Sequence, residues 1–418
     1  MKLFLSFLFL TFTINLFAID RSVNPNLSSG NGTTLFKTIS SAVSASVNGD
    51  RILIDAGTYN EPTLTLDKSL TLLPQTAGSK VNYNGNLVVA GFPGMKLEIL
   101  GFNLGIYSVS SDTISGGSAA YRAKVSFIDC AMTNLSLDQD YYELNCIKSA
   151  MTGNTTFRFG NFVVSKTNDL YVFDEPNKNL TTEKILIVAD TIINRLEYRN
   201  DNYKVVLCNN LLKDLIFTKW NTLSDVSNNI CNNDFISNCK IMLPSNAPYW
   251  NVKFNNNLFD GPFSFASSRP NYAPDPGWNG TDCCQCGPLA GNLGFICLGF
   301  SNSSSYFPNP NDQGFFEWTY NGIDLPCIIP SGSQPLVLTK IIGPTGSIVD
   351  AGNPSHDYYD IDLTINDRGR TGGPYSILNY NPSFNPSNGK AFIFDIEMPT
   401  DLFPGQDVDI KAKGYHRN

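Results

Sequence analysis

Ile187-Val188-Ala189-Asp190-Thr191-Ile192, Leu207-Cys208-Asn209-Asn210-Leu211-Leu212, Ile230-Cys231-Asn232-Asn233-Asp234-Phe235 and Phe254-Asn255-Asn256-Asn257-Leu258-Phe259 repeat one pattern four times. An apolar residue is followed two positions later by a small or amide residue, and then by a second apolar position. Their first residues lie 20, 23 and 24 apart, the length of one coil of a β-solenoid. Phe127-Ile128-Asp129 and Phe159-Gly160-Asn161 are looser, earlier copies. Where a coil turns a corner, stacked amides can satisfy backbone groups that would otherwise be buried unpaired. Asn209, Asn232 and Asn256 are the expected ladder, each worth about 1–3 kcal/mol if removed. The competing reading is that Asn is simply abundant here. The same alignment puts Cys208 and Cys231 one strand spacing apart, within reach of a disulfide.

Composition agrees with short strands joined by many turns. The 418 residues are 42% hydrophobic and 16% charged, with Gly 33 and Pro 24, enough to fill a large core. Lys and Arg total 29 against 37 Asp and Glu, a net charge of -8, so no basic field is available for nucleic acid. The two histidines, His356 and His416, are too few for most zinc or Ser-His-Asp chemistry.

Residues 1–18, MKLFLSFLFLTFTINLFA, read as a secretory signal: one Lys, an apolar run and a small residue at the end. The run is shorter than a spanning helix needs and no later one exceeds it, so the expectation is a secreted, extracellular or periplasmic protein without a membrane span. All ten Cys fall between Cys130 and Cys327, which in an exported chain favours disulfides of unspecified pairing. The Cys283, Cys284, Cys286 group favours disulfides over metal because no His lies nearby.

Upstream, Phe36, Ile39 and Val43 share one helical face within residues 34–47, and Gly49-Asp50 ends that helix. Such a helix would cover the open sheet edge at the end of a solenoid. Strand patterns follow at Arg51-Ile52-Leu53-Ile54, Leu64/Leu66, residues 70–73 and Leu97-Glu98-Ile99-Leu100-Gly101-Phe102. With Lys37-Thr38-Ile39, Ala42-Val43, Gly49-Asp50-Arg51-Ile52 and Ala56-Gly57-Thr58-Tyr59-Asn60-Glu61, this stretch resembles the pectin-lyase-like superfamily of secreted bacterial type. The resemblance covers the first hundred residues and implies an all-β, right-handed parallel β-helix with an N-terminal capping helix. It leaves the reaction open, since lyases, hydrolases, esterases and non-catalytic surface proteins share the fold.

The expected organisation is a signal at 1–18, the β-helix over 19–330 with a Cys- and aromatic-rich insertion at about 267–327, and a terminal coil with a β extension over 331–418. Trp278, Tyr306, Trp318 and Tyr320 in and beside the insertion are candidate glycan-stacking residues, against the reading that they pack a disulfide-bonded module. Residues 348–374 look like a terminal-coil segment that closes the solenoid, and residues 390–413 alternate as two strands around Phe403-Pro404-Gly405. Asp357, Asp360 and Asp362 have the oxygen ligands calcium takes but no EF-hand spacing, and turn residues pairing with Arg are the favoured reading, with no cofactor expected.

The resemblance also shows what is missing. The chain has no adjacent Asp pair and no His before His356, against the pattern of polygalacturonases, and lacks the Leu-Gly-Arg-Pro-Trp block of pectin methylesterases. For a pectate-lyase reaction, Asp129, Asp190 and Asp214 with Lys204, Lys213 or Arg195 are the right residue types, but no spacing singles them out. The leading expectation is non-catalytic binding of extracellular polysaccharide or a surface partner. A polysaccharide lyase or glycosidase acting on uronate polymers and a structural or adhesive surface protein are the alternatives.

Overall fold

The computed structural model describes residues 18–175, 183–200, 202–219, 229–232, 235–243, 251–255, 258–259, 263–267, 315–319, 322–323, 341–342, 365, 367, 372–373, 392–397 and 411–415. Residues 1–17 of the expected signal, 1–18, lie outside them. No helix among the described residues is long and apolar enough to cross a membrane.

The described strands form a mostly parallel, solenoid-like β fold. Arg51–Ile54, Thr71–Pro74, Lys96–Leu100, Ala123–Ile128, Tyr142–Ile147, Gly160–Val163, Lys184–Val188 and Lys204–Cys208 follow one another in a single parallel sheet. It continues through Asn229–Asn232, Asn251–Asn255, Phe315–Thr319 and Ile341–Ile342. Between successive strands of this sheet the chain visits a second one, the lateral sheet. In early coils the visit is two short strands, such as Gly57–Tyr59 and Leu64–Leu66. From Lys166–Phe173 to Phe235–Leu243 one long strand replaces them, as in Thr191–Arg199 and Leu211–Lys219, before two short strands return at Leu258–Phe259 and Phe263–Ser267. Bulges between Thr167/Asp169 and Ile192/Arg195 interrupt the register of the long strands.

Register sets the core. Ile52, Leu72, Ile99, Phe127, Cys146, Phe162, Ile187 and Leu207 form one line across the first sheet, and each is fully buried. Each such side chain contributes roughly 1.5–3 kcal/mol of transfer free energy. Phe127 is on this line as its motif copy suggested, but the next rung is Phe162 rather than Phe159.

The line continues through Cys231, Phe254, Trp318 and Ile341. Leu207 therefore pairs with Cys231, 24 residues on, while Cys208 pairs with Asn232. Cys208 and Cys231 thus fall one residue out of register, and adjacent residues point to opposite faces of a sheet. The expected neighbour relation between these two cysteines is not built. Cys130 and Cys146, where disulfides were also expected, are buried free thiols. The remaining cysteines outside the strands fall outside the described residues.

The corner between the two sheets is a two-residue turn. Asp129, Lys148, Val164, Ala189 and Asn209 occupy it in successive coils, with φ of 54°, 50°, 51°, 58° and 58°. The left-handed conformation reverses the chain in minimal length and costs a non-glycine residue about 1–2 kcal/mol. A hydrogen-bonded column inside the corner holds it. Ser149 Oγ accepts from Cys130 N at 3.1 Å, Ser165 Oγ from Ser149 N at 3.1 Å, and Asp190 Oδ1 from Ser165 N at 2.5 Å. Asn210 Oδ1 then accepts from Asp190 N at 2.9 Å, and Asn210 Nδ2 donates to the Ile187 carbonyl at 2.8 Å. The described column runs through the residue after the left-handed one and holds one amide, Asn210. Asn209 is the left-handed residue, Asn232 pairs with Cys208 and Asn255, and Asn256 lies outside the described residues.

At the N-terminus the helix is Ile39–Ala45, with Thr38 as its cap and Ile39, Ala42 and Val43 buried. Phe36, expected on the helix, is in strand Leu35–Phe36, paired with Asp20–Val23. Glu61 accounts for the end of the Ala56–Glu61 motif: its carboxylate accepts from Ile39 N at 2.7 Å and Ser40 N at 2.8 Å, where the helix has unsatisfied donors. Phe392–Glu397 and Lys411–Tyr415 form the expected small antiparallel extension. Gly372, in the segment expected to close the solenoid, accepts from the Asn209 side chain through its carbonyl; most of that segment lies outside the described residues. Asn209 follows Lys204–Cys208, four strands before the last strand of the sheet, Ile341–Ile342.

Candidate binding face on the lateral sheet

The long lateral strands bury Leu170, Val172, Leu196, Tyr198 and Leu215 on one side. Alternation therefore sends the intervening residues to the outer side. There the register aligns Asn154, Asp169, Arg195, Asp214 and Asn238 in one row, and Thr156, Tyr171, Glu197, Ile216 and Lys240 in the next. Phe173, Arg199 and Lys219 form a third row.

Tyr171 and Phe173, two apart on one strand, hold their rings nearly parallel, 6.1 Å between centroids at 4°. The Arg199 guanidinium sits over the Phe173 ring, 5.5 Å from its centroid. Glu197 holds both neighbouring arginines: Arg199 Nε at 2.7 Å and Arg195 Nη1 at 3.7 Å from its carboxylate oxygens. The Glu197 hydrogen bond, opposed by partial burial, keeps Arg199 firmly protonated. Glu197 is 8% exposed at its side chain while the two arginines are 45% and 43% exposed, so the carboxylate is the anchor and the cations face solvent. Flat apolar rings, fixed cations and half-buried Asp169 and Asp214 share one surface.

Just behind the end of this face, Arg122 is buried in a network drawn from distant coils. Its guanidinium donates to both Glu183 oxygens at 3.2 and 3.1 Å and to Tyr203 Oη at 2.7 Å, and lies 4.0 Å from the Phe159 ring centroid. Its Nε is 3.8 Å from Glu175, which also accepts from Tyr203 Oη. Burial alone would weaken the Arg122 charge, but Glu183, Tyr203 and Glu175 reverse that effect. Burial first and then Glu175 push the Tyr203 hydroxyl well above its usual range. A buried charge held by Glu183, Tyr203 and Glu175 ties the residues after Phe173 to distant coils.

The residues weighed for catalysis separate. Asp214 and Arg195 are register neighbours on the lateral face. Asp129 is at the corner, 2.6 Å from Lys80, and Asp190 is inside the corner column. Lys204 is buried at the start of its strand, and Lys213 is exposed on a lateral strand. Of the aromatic candidates, Trp318 is in strand Phe315–Thr319 and on the register line of Ile187 and Leu207, both fully buried. Trp278, Tyr306 and Tyr320, and the calcium candidates Asp357, Asp360 and Asp362, lie outside the described residues.

Tyr171, Phe173 and the Arg195–Glu197–Arg199 group were missed in the sequence. The signal that could have found them is the alternation Asp169-x-Tyr171-x-Phe173 against Arg195-x-Glu197-x-Arg199, which reads as two neighbouring outer rows only once their register is known. Compared with known proteins, the chain matches no family model, no curated protein and no solved structure.

Proposed function

We propose that this is a secreted, right-handed parallel β-helix of the pectin-lyase-like type whose lateral face binds an extracellular polysaccharide without cleaving it. The helix Ile39–Ala45, clamped by Glu61, closes the first coil in this reading. Three kinds of observation support the architecture: ladders shared by successive coils, one left-handed residue at the same corner of each, and a helix packed at the first strands.

The observation that carries the binding reading is the Tyr171/Phe173 ring pair with Arg199 over Phe173. The C–H faces of a pyranose pack on such rings, and hydroxyl or carboxylate substituents find donors in Arg195 and Arg199. Stacked parallel strands extend the face along the axis in steps of about 4.8 Å, with different side chains on each strand, which suits a linear polymer. A glycan array followed by titration calorimetry tests it: Tyr171→Ala and Phe173→Ala should each weaken binding about tenfold or more with unchanged circular dichroism. Undiminished binding in both variants would refute this face.

One observation favours a second reading, a glycosidase. Asp169 and Asp214 flank Arg195 on the strands either side of it, two strand spacings or about 9.5 Å apart. This is near the upper carboxyl separation of inverting glycosidases. Incubation with uronate and neutral polysaccharides, with and without Ca²⁺, distinguishes the two: new reducing ends or unsaturated products would replace binding with turnover.

A further inference from the structure

Ile19 follows Ala18, the small residue that ends the expected signal. Strands Asp20–Val23 and Arg51–Ile54 pair in parallel with Asp20 opposite Arg51, which sets Ile19 opposite Asp50 at the start of both strands. The Ile19 backbone N–H donates to Asp50 Oδ1 at 2.9 Å, and the Ile19 carbonyl accepts from Arg51 N at 3.2 Å. Ala18 and Ile19 are exposed, Ile19 at 43%, whereas Asp50 is fully buried.

The two oxygens of Asp50 are divided between partners. Oδ2 accepts from Arg21 Nε at 2.7 Å and from Val47 N at 3.0 Å, and the Thr33 carbonyl fixes the Arg21 guanidinium at its other end. Oδ1 accepts from Ile19 N. Asp20 and Arg51, about half exposed beside this group, lie 3.6 Å apart and offset each other's charge. A buried carboxylate with one oxygen turned to the first residue after a cleavable leader is a seat for an α-ammonium, because a charged donor makes roughly twice as strong a hydrogen bond to it as a neutral amide does.

We propose that the chain is processed between Ala18 and Ile19 and that the new terminus docks on Asp50. This rests on the secretory part of the reading above and is independent of glycan binding. Hydrolysis by an export endopeptidase breaks the Ala18–Ile19 peptide bond: water adds its hydroxyl to the Ala18 carbonyl carbon and a proton to the Ile19 nitrogen. The acid so formed passes its proton to the amine, leaving a carboxylate on the departing leader and, at neutral pH, an ammonium on Ile19. The nitrogen already lies 2.9 Å from Oδ1, so docking requires no movement of the strand. One ammonium proton takes Oδ1, and the exposure of Ile19 leaves the others to water. The pair pins the start of Asp20–Val23, which lies between Leu35–Phe36 and Arg51–Ile54 in the sheet, so removal of the leader strengthens the first rung of the stack.

Two measurements separate the processing step from the seat. The full chain is expressed in an exporting bacterial host and the product is read by N-terminal sequencing and intact mass; it should begin at Ile19. A chain kept inside the cells with residues 1–18 attached would refute the secretory reading, and an exported product with another first residue would refute this cleavage. The seat is tested on residues 19–418, which hold every described strand, released from a removable N-terminal fusion. One form begins at Ile19 and the other keeps a single added Gly before it, which preserves the Ile19 N–H and moves the charge one residue away. In urea unfolding the folding equilibrium constant of the form beginning at Ile19 should be about tenfold larger, and the difference should vanish in Asp50→Asn. Equal stability of the two forms overturns the seat whatever the exported product shows. Should Asp50→Asn fail to fold, labelling of the α-amine decides: an amine-selective reagent should modify Ile19 about tenfold more slowly in the folded chain than in urea, and equal rates overturn the proposal.

Discussion

Replacing Asn210 with alanine removes the last described member of the corner column, and its cost can be worked from the hydrogen bonds it makes. The side chain is fully buried, accepts from Asp190 N at 2.9 Å and donates to the Ile187 carbonyl at 2.8 Å. Leaving the Asp190 N–H short of this acceptor costs about 1–3 kcal/mol, and losing the bond to Ile187 about 0.5–1.5 kcal/mol. The expected sum is about 2–4 kcal/mol, because both bonds are made by a fully buried side chain. Asn84 is the control: it also bonds an amide in the neighbouring, preceding coil, Asn60 Oδ1 at 2.6 Å, but at the partly exposed surface, so Asn84→Ala should stay within about 0.5 kcal/mol of the parent. Urea unfolding followed by fluorescence and circular dichroism reads both, with the slope compared so that a change of midpoint means a change of stability. If Asn210→Ala unfolds at the same urea concentration as Asn84→Ala, the column is not what holds the corner.

Three further outcomes follow from the same coil geometry. A Cβ on Gly160 would sit 1.9 Å from the Leu144 carbonyl oxygen at φ +136°, so Gly160→Ala should lower stability by about 2–4 kcal/mol, read by the same urea titration; a neutral effect would mean these strands pack more loosely. Burial pushes the Cys130 thiol up to about 12 and Cys146 in the same direction, so iodoacetamide at pH 8 should label both only after unfolding, and rapid native labelling counted by mass spectrometry would contradict their burial. Burial opposes the charge on Asp50, but the Val47 and Ile19 amides and Arg21 outweigh it and hold its carboxyl below the usual range. Its stabilisation is therefore present above the unfolded value near pH 4 and lost as pH falls through the lower folded value, so Asp50→Asn should flatten acid destabilisation below about pH 4. An unchanged acid profile in that variant would assign the loss to other carboxylates.

The amino-acid sequence by itself determined the coil. Apolar residues recurring about every 20–24 positions can all be buried only if the chain winds back over itself at that length, and Thr38-Ile39 and Arg51–Ile54 appear where local pattern placed them, while the second strand of the C-terminal extension, expected to end by residue 413, runs over Lys411–Tyr415. What tertiary structure decided is register. The motifs align Leu207 with Ile230, whereas the ladder pairs Leu207 with Cys231, and that single step parts Cys208 from Cys231; Asn210 rather than Asn209 bonds to the neighbouring coil because Asn209 takes the left-handed place in the corner. Period-two strands make a one-residue shift a change of face, and coil lengths that vary with each loop hide the shift from any fixed-period count. The candidate face was illegible for the same reason. Tyr171 and Arg199 are 28 residues apart in the chain and become adjacent rows only through bulged pairing, while an apolar row of the first sheet from Ile128 to Cys208 reads like core until its burial is seen on the side away from the core.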